Sequence, residues 1–196
     1  MNRLALIDPV HATGRTAELL GAVQQKLGRV PNILRVLANS PAALEAYLGL
    51  SAALESSSLS GRLREQIALA VAEINACGYC LSAHTAIAGR LGLSEAQIQA
   101  ARRAEAEVKR DAATLKLVRE IVLRRGEIRD GDLLAAREAG ISDSEIADIL
   151  VAVTLNLFTN YLNHVARTPV DFPEVQPGPD APATPSPTSC APGGGC

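Results

Sequence analysis

Tryptophan is absent from this chain, methionine occurs once, and the aromatic residues are three tyrosines and two phenylalanines among 196 residues. Yet 47% of the residues are hydrophobic, so Ala, Leu, Ile and Val must supply nearly all of any core. Side chains of that size suit helices packed closely on one another better than a β-sandwich. A surplus of charge is missing as well: 19 Lys and Arg stand against 21 Asp and Glu, for a formal net charge of -2. No basic face is implied, which makes DNA and RNA unfavoured partners. No run of about eighteen apolar residues occurs, so no membrane span is expected. The opening stretch, MNRLALIDPVHATG, lacks the apolar centre of a secretory signal, and the expectation is a cytoplasmic protein.

What is present is helical pattern. The length suits one domain with an appendage, or at most two small domains, and helical periodicity with caps recurs from about residue 13 to residue 166. Ser40 followed by Pro41 predicts a helix start, with the helix running through Leu54. Ser60 can cap the next helix, whose apolar set is Leu63, Ile67, Leu69, Ala70, Val71 and Ile74. Ser94 with Gln97, and Ser142 with Glu145, have capping-box form and predict two further starts. The stretch from Ile146 to Val165 is largely apolar and reads as central to the core or to a subunit contact. The fold class is therefore all-α.

A weak internal repeat of a helical-hairpin unit also shows, at an offset of 48 residues, between 73–98 and 121–146. Gly92 falls on Gly140 and the two capping boxes coincide; Cys77, Cys80 and His84 fall on Arg125, Ile128 and Asp132. The second copy keeps the pattern without the sulfur, as it would if the fold did not need the cysteines; chance likeness between two Ala-rich stretches is the rival reading. The organisation expected is a helical domain over 1–172 and a Pro/Gly/Ser-rich tail over 173–196 that cannot bury enough apolar area to order itself. That tail holds Cys190 and Cys196, read as two exposed thiols.

The remaining two cysteines sit in INACGYCLSAH, with Cys77 and Cys80 three apart and His84 four residues after the second. Covalent haem attachment needs the histidine directly after the second cysteine, where Leu81 stands. A structural zinc site needs four ligands; the zinc alternative would complete Cys77, Cys80 and His84 with a carboxylate such as Glu65 or Glu73. A thiol pair has a direct physical basis. If a helix starts near Gly78 or Tyr79, Cys80 sits in its first turn, where unpaired N–H groups favour the thiolate. His84 then lies one turn along the same face, and Cys77 is near enough for a disulfide after modest rearrangement. A redox sensor without turnover is a further alternative for the same pair.

Around that cluster, REQIALAVAEINACGYCLSAH carries a glutamate, eleven residues, C-x-x-C, three residues and a histidine. This resembles the core motif of the alkylhydroperoxidase D-like, peroxidase-related branch of the carboxymuconolactone decarboxylase-like family. Glu65, Cys77, Cys80 and His84 match it at every spacing, and the likeness extends through RVPNILRVLANSPAALEAYLGL and NYLNHVARTPVDFP to cover most of 29–173. The resemblance implies an alkylhydroperoxidase D-like helical bundle, a homo-oligomer built as a trimer or hexamer. By the same resemblance Cys80 attacks a hydroperoxide, Cys77 closes the disulfide, and His84 with Glu65 relays the proton. No bound cofactor is implied; the partners are a hydroperoxide and a dithiol reductant, namely a lipoyl protein, thioredoxin or a small thiol. Where a well-known relative has a second histidine before the attacking cysteine, Tyr79 stands here.

Spacing alone makes Glu73, one turn before Cys77, the nearer carboxylate. In one continuous helix Glu65 would lie about 18 Å from Cys77, with His84 returning across roughly half of that distance. A bend, a water or a neighbouring subunit is then expected to cover the rest. His164 reads as a helix-end packing residue, and His11 as a surface one.

Overall fold

The computed structural model describes residues 2–179 and 181. Among them the chain forms nine α-helices and no strand: α1 (Gly14–Leu27), α2 (Asn32–Leu37), α3 (Pro41–Glu55), α4 (Gly61–Ile74), α5 (Gly78–Arg90), α6 (Glu95–Arg102), α7 (Lys109–Leu123), α8 (Asp130–Glu138) and α9 (Asp143–Ala166). The starts follow the caps: the hydroxyls of Ser40, Ser60, Ser94 and Ser142 each accept an N–H of the first turn. Each such bond satisfies one of the amides that a helix leaves orphaned at its N-terminus.

The second helix of the core, α4, runs through its centre. Ile67, Leu69, Ala70, Val71 and Ala72 are all fully buried, and the helix packs against α5, α6, α7 and α9. Its alanines are what make this possible, because small side chains let several neighbours approach one helix at once. The scarcity of aromatics thus finds its use in this core. A second apolar cluster joins Leu19, Leu20, Val23, Leu34, Leu37 and Leu44 of the three N-terminal helices.

By length and composition α9 could cross a membrane, although the sequence has no unbroken apolar run. Its contacts are those of a core helix: Ile149, Ala152 and Val153 are buried against the bundle, as are Asn156, Thr159, Asn160 and Asn163. The polar residues face inward, while Leu150, Phe158, Tyr161 and Val165 are exposed.

Gly92 and Gly140, aligned by the apparent repeat, both adopt left-handed conformations (φ 79° and 85°) ahead of a capping box. The linkers differ, however, since residues 75–77 join α4 to α5 where 124–129 join α7 to α8. Residues 175–178, assigned by composition to the tail, lie against the helical domain. Val175 N–H donates to Ser82 Oγ at 2.9 Å, Gly178 N–H to Glu73 Oε1 at 2.6 Å, and Arg102 donates to Gln176 O at 2.8 Å. Cys190 and Cys196 lie outside the described residues.

Candidate active site

The turn between α4 and α5 presents the cysteines. Cys77 N–H donates to Ala72 O at 2.9 Å and Ala76 N–H to Glu73 O at 3.0 Å, which closes α4 with Ala76 in the left-handed region (φ 52°). That closure lets the chain reverse within three residues and makes Cys77 the N-cap of α5. Cys77 Sγ accepts the Cys80 N–H at 3.4 Å, so a sulfur does what a serine hydroxyl does at other helix starts. Cys80 is in the first turn, and its sulfur lies in disulfide contact with that of Cys77, the Cα atoms being 5.3 Å apart. Both cysteines are nearly completely buried.

His84 follows Cys80 by one helical turn, on the same face of α5. Because α5 runs back along α4, its ring reaches the first half of that helix, and His84 Nδ1 lies 2.8 Å from Glu65 Oε2. The hairpin therefore closes the Glu65 to His84 part of the gap directly, with no bend, water or second subunit between the two side chains. Only about a quarter or less of either side chain is exposed, 23% for His84 and 15% for Glu65, so the bond is partly shielded from water. Tyr47 of α3 is near enough to respond: burial, and then the Glu65 carboxylate, push its phenol up from 10.0.

Glu73 has other work. Its Oε2 accepts from Arg102 Nε at 2.6 Å, and its Oε1 accepts the Gly178 amide. Both oxygens are thus taken by the α4–α6 contact and the C-terminal segment. Tyr79 is likewise structural in its contacts: its hydroxyl donates to Asp171 Oδ1 at 2.7 Å and accepts Ile33 N–H at 3.2 Å. Its ring meets Phe172 edge-on, and the Arg29 guanidinium lies 4.3 Å from the centre of the Phe172 ring. Burial raises the Tyr79 phenol above its ordinary 10.0, and the Asp171 bond adds to this against the opposing Ile33 amide. The phenol therefore stays a donor and holds residues 171 and 172 onto the start of α5.

From the other side α9 faces the turn. His164 Nε2 lies 2.8 Å from Asn75 O, Asn75 Nδ2 donates to Asn160 Oδ1 at 3.0 Å, and Asn163 Nδ2 points at Cys80 Sγ at 3.3 Å. His164 accordingly packs against the end of α4, while His11 is at the surface beside Asp8. Asn160 and Asn163 were not singled out from the sequence, since asparagine in an apolar helix carries no motif. The signal available was their three-residue spacing, together with His164, along one face of α9.

Among the described residues, no three His, Cys, Asp or Glu side chains are arranged to hold a metal ion.

Residues 38–122 match the carboxymuconolactone decarboxylase family. In three dimensions the chain is similar to a peroxidase-related protein of Silicibacter sp. TM1040, with 28% identity over 85% of this chain and 89% of that one (TM-score 0.74). It is also similar to a peroxidase-related protein with an alkylhydroperoxidase AhpD core from Ralstonia eutropha JMP134, at 23% identity over 87% and 92% of the two chains (TM-score 0.77). The debrominase Bmp8, solved as a Cys-to-Ala variant with 2,3,4-tribromopyrrole, shares the fold at 17% identity over 87% and 94% (TM-score 0.71). No curated protein matches the chain in sequence.

Proposed function

Since residues 38–122 form a carboxymuconolactone decarboxylase-family domain within an alkylhydroperoxidase D-like fold, we propose that the chain is a thiol-dependent peroxidase working through Cys77 and Cys80. One observation carries this reading: two cysteines in disulfide contact lie one helical turn from a histidine bonded to a glutamate. Such a set supplies a nucleophile, a partner sulfur and a proton relay within one helical hairpin. The likeness to a peroxidase-related protein at 28% identity supports it.

The Cys80 thiolate attacks the terminal oxygen of a hydroperoxide. The O–O bond breaks, sulfur becomes sulfenic acid, and the departing alkoxide takes a proton from the His84–Glu65 pair. Cys77 then attacks the sulfenic sulfur, giving the disulfide and water. An external dithiol reduces that disulfide by exchange and leaves as a disulfide itself. One hydroperoxide and two thiols thus yield an alcohol, water and a disulfide. A lipoyl group, thioredoxin or a small thiol each satisfies the chemistry, which belongs in a reducing compartment such as the cytoplasm. The exposed apolar face of α9, with Leu150, Phe158, Tyr161 and Val165, supports assembly as a homo-oligomer.

Single-turnover consumption of cumene hydroperoxide by reduced protein tests the assignment. Cys77→Ser should still consume one equivalent and accumulate a sulfenic acid that dimedone traps, whereas Cys80→Ser should consume none. The reverse pattern would exchange the two roles. That order has one observation in its favour, because Cys77 is the residue whose sulfur caps α5.

A further inference from the structure

Asn163 stands in an unusual position for a core side chain. It is buried (5% exposed), its Nδ2 lies 3.3 Å from Cys80 Sγ, and its Oδ1 is enclosed with no hydrogen-bond partner. One turn earlier on the same helix, fully buried Asn160 uses its Oδ1 to accept from Asn75 and leaves its Nδ2 unpartnered. An unpaired acceptor and an unpaired donor therefore sit three residues apart on the face of α9 that meets the cysteines. Leaving such groups unsatisfied costs their desolvation, whereas an apolar residue of the same size would avoid it. The bond from Asn75 accounts for the oxygen of Asn160, but no protein partner accounts for its Nδ2 or for the Oδ1 of Asn163.

We propose that Asn163 holds the two reacting atoms of the peroxidase step side by side. Its Nδ2–H donates to the Cys80 thiolate, and its Oδ1 accepts the terminal O–H of the hydroperoxide. The idle donor of Asn160 is suited to the second peroxide oxygen, which gathers negative charge as the O–O bond breaks. A hydroperoxide offers one O–H donor and oxygen acceptors, matching the two vacancies in number and kind. The reaction is the one already written, with no change in its atoms or electrons. Sulfur takes the terminal oxygen, and the alkoxide leaves with a proton from the His84–Glu65 pair. Asn163 neither gains nor loses a proton. It lowers the barrier by charge stabilisation and alignment.

This inference rests on the peroxidase reading for its Oδ1 half, and on geometry alone for its Nδ2 half. Two measurements on reduced full-length protein separate them. The first is the pH profile of Cys80 alkylation by iodoacetamide, in a Cys77→Ser background; it involves no peroxide. The second is the single-turnover rate constant with cumene hydroperoxide. Asn163→Asp keeps the shape and sets a carboxylate against the thiolate, so its alkylation profile should move to higher pH by about one unit or more. Asn163→Leu should shift the same profile in the same direction and slow the peroxide step at least about tenfold at saturating thiolate. Circular dichroism on both variants reports folding, with Asn163→Asp as the near-isosteric partner should Asn163→Leu not fold. Wild-type alkylation profiles in both variants would overturn the thiolate contact. A shifted profile with an unchanged peroxide rate at matched thiolate fraction would overturn the hydroperoxide contact, as expected if the two amides merely share a water. No peroxide consumption by the wild type, with a shifted profile in the variants, would overturn the peroxidase reading and the hydroperoxide contact while the thiolate contact stood.

Discussion

At the scale of single residues, the site depends on which carboxylate meets which imidazole. Glu65 and Glu73 lie on the same helix, eight residues apart, and sequence distance from Cys77 favours Glu73. The fold reverses that preference because α5 doubles back, carrying His84 to within 2.8 Å of Glu65, while Arg102 and the Gly178 amide occupy Glu73. If the Glu65–His84 bond acts as one proton relay, the two residues should not contribute independently. Glu65→Gln and His84→Ala should each slow the single-turnover peroxide reaction about 100-fold, and the double variant should be little slower than either. Additive losses in a double-mutant cycle would show that the two act separately. Glu73→Gln should leave the peroxide rate within about twofold of wild type, since it touches neither sulfur, and should cost stability through its lost partners.

At the scale of elements, the helix ends decide where chemistry can sit. The α4–α5 turn holds Ala76 at φ 52°, a conformation that disfavours any side chain with a Cβ. Ala76→Gly should therefore raise stability by about 0.5–1 kcal/mol, the relief of strain exceeding the entropy that glycine adds to the unfolded chain; urea denaturation of reduced protein measures it. The start of α9 is tied more tightly. Glu145 accepts from Ser142 N–H and its hydroxyl, both at 3.0 Å, and from the Arg110 guanidinium. Arg110 first, then the Ser142 amide, hold its carboxyl down from 4.5 to about 2. A depressed carboxylate stabilises the fold fully above its unfolded value and loses that contribution as pH falls. The stability due to Glu145 should thus be intact above pH 4.5 and vanish toward pH 2. Thermal melts across that window should fall less steeply for Glu145→Gln, which also starts from a lower value at neutral pH.

At the scale of the molecule, α9 is amphipathic in an inverted sense. Asn156, Asn160 and Asn163 turn inward, the last two onto the cysteine turn, while Leu150, Phe158, Tyr161 and Val165 face out. A lone surface leucine is ordinary, but a stripe of such residues along one long helix is what the proposed homo-oligomer would bury. With a second copy as the occupant, Tyr161→Glu combined with Val165→Glu should lower the mass measured by light scattering, toward that of one 20.5 kDa chain, and leave the helical circular dichroism in place. A wild type that already runs as one chain at micromolar concentration would remove the oligomer from the proposal.

Most of the elements were legible in the amino-acid order, for a local reason. Ser40, Ser60, Ser94 and Ser142 start helices because their hydroxyls meet orphan amides of their own first turns, and an apolar face repeating with helical period needs only a neighbour to bury it. The pairing of Cys77 with Cys80 and the position of His84 one turn on are local in the same way. What lay beyond the sequence were contacts between residues far apart in the chain. Cys80 with Asn163 and Tyr79 with Asp171 each join different parts of the structure, and for His84 with Glu65, a pair the motif resemblance had named, only the hairpin supplies the contact. The sequence by itself determined an all-helical chain with a capped, cysteine-bearing hairpin, because caps and periodicity act over a few residues. The motif resemblance named Glu65 as the partner of His84, but only the tertiary structure brought the two into contact and decided which asparagine meets the sulfur, because those contacts depend on how α4, α5 and α9 pack.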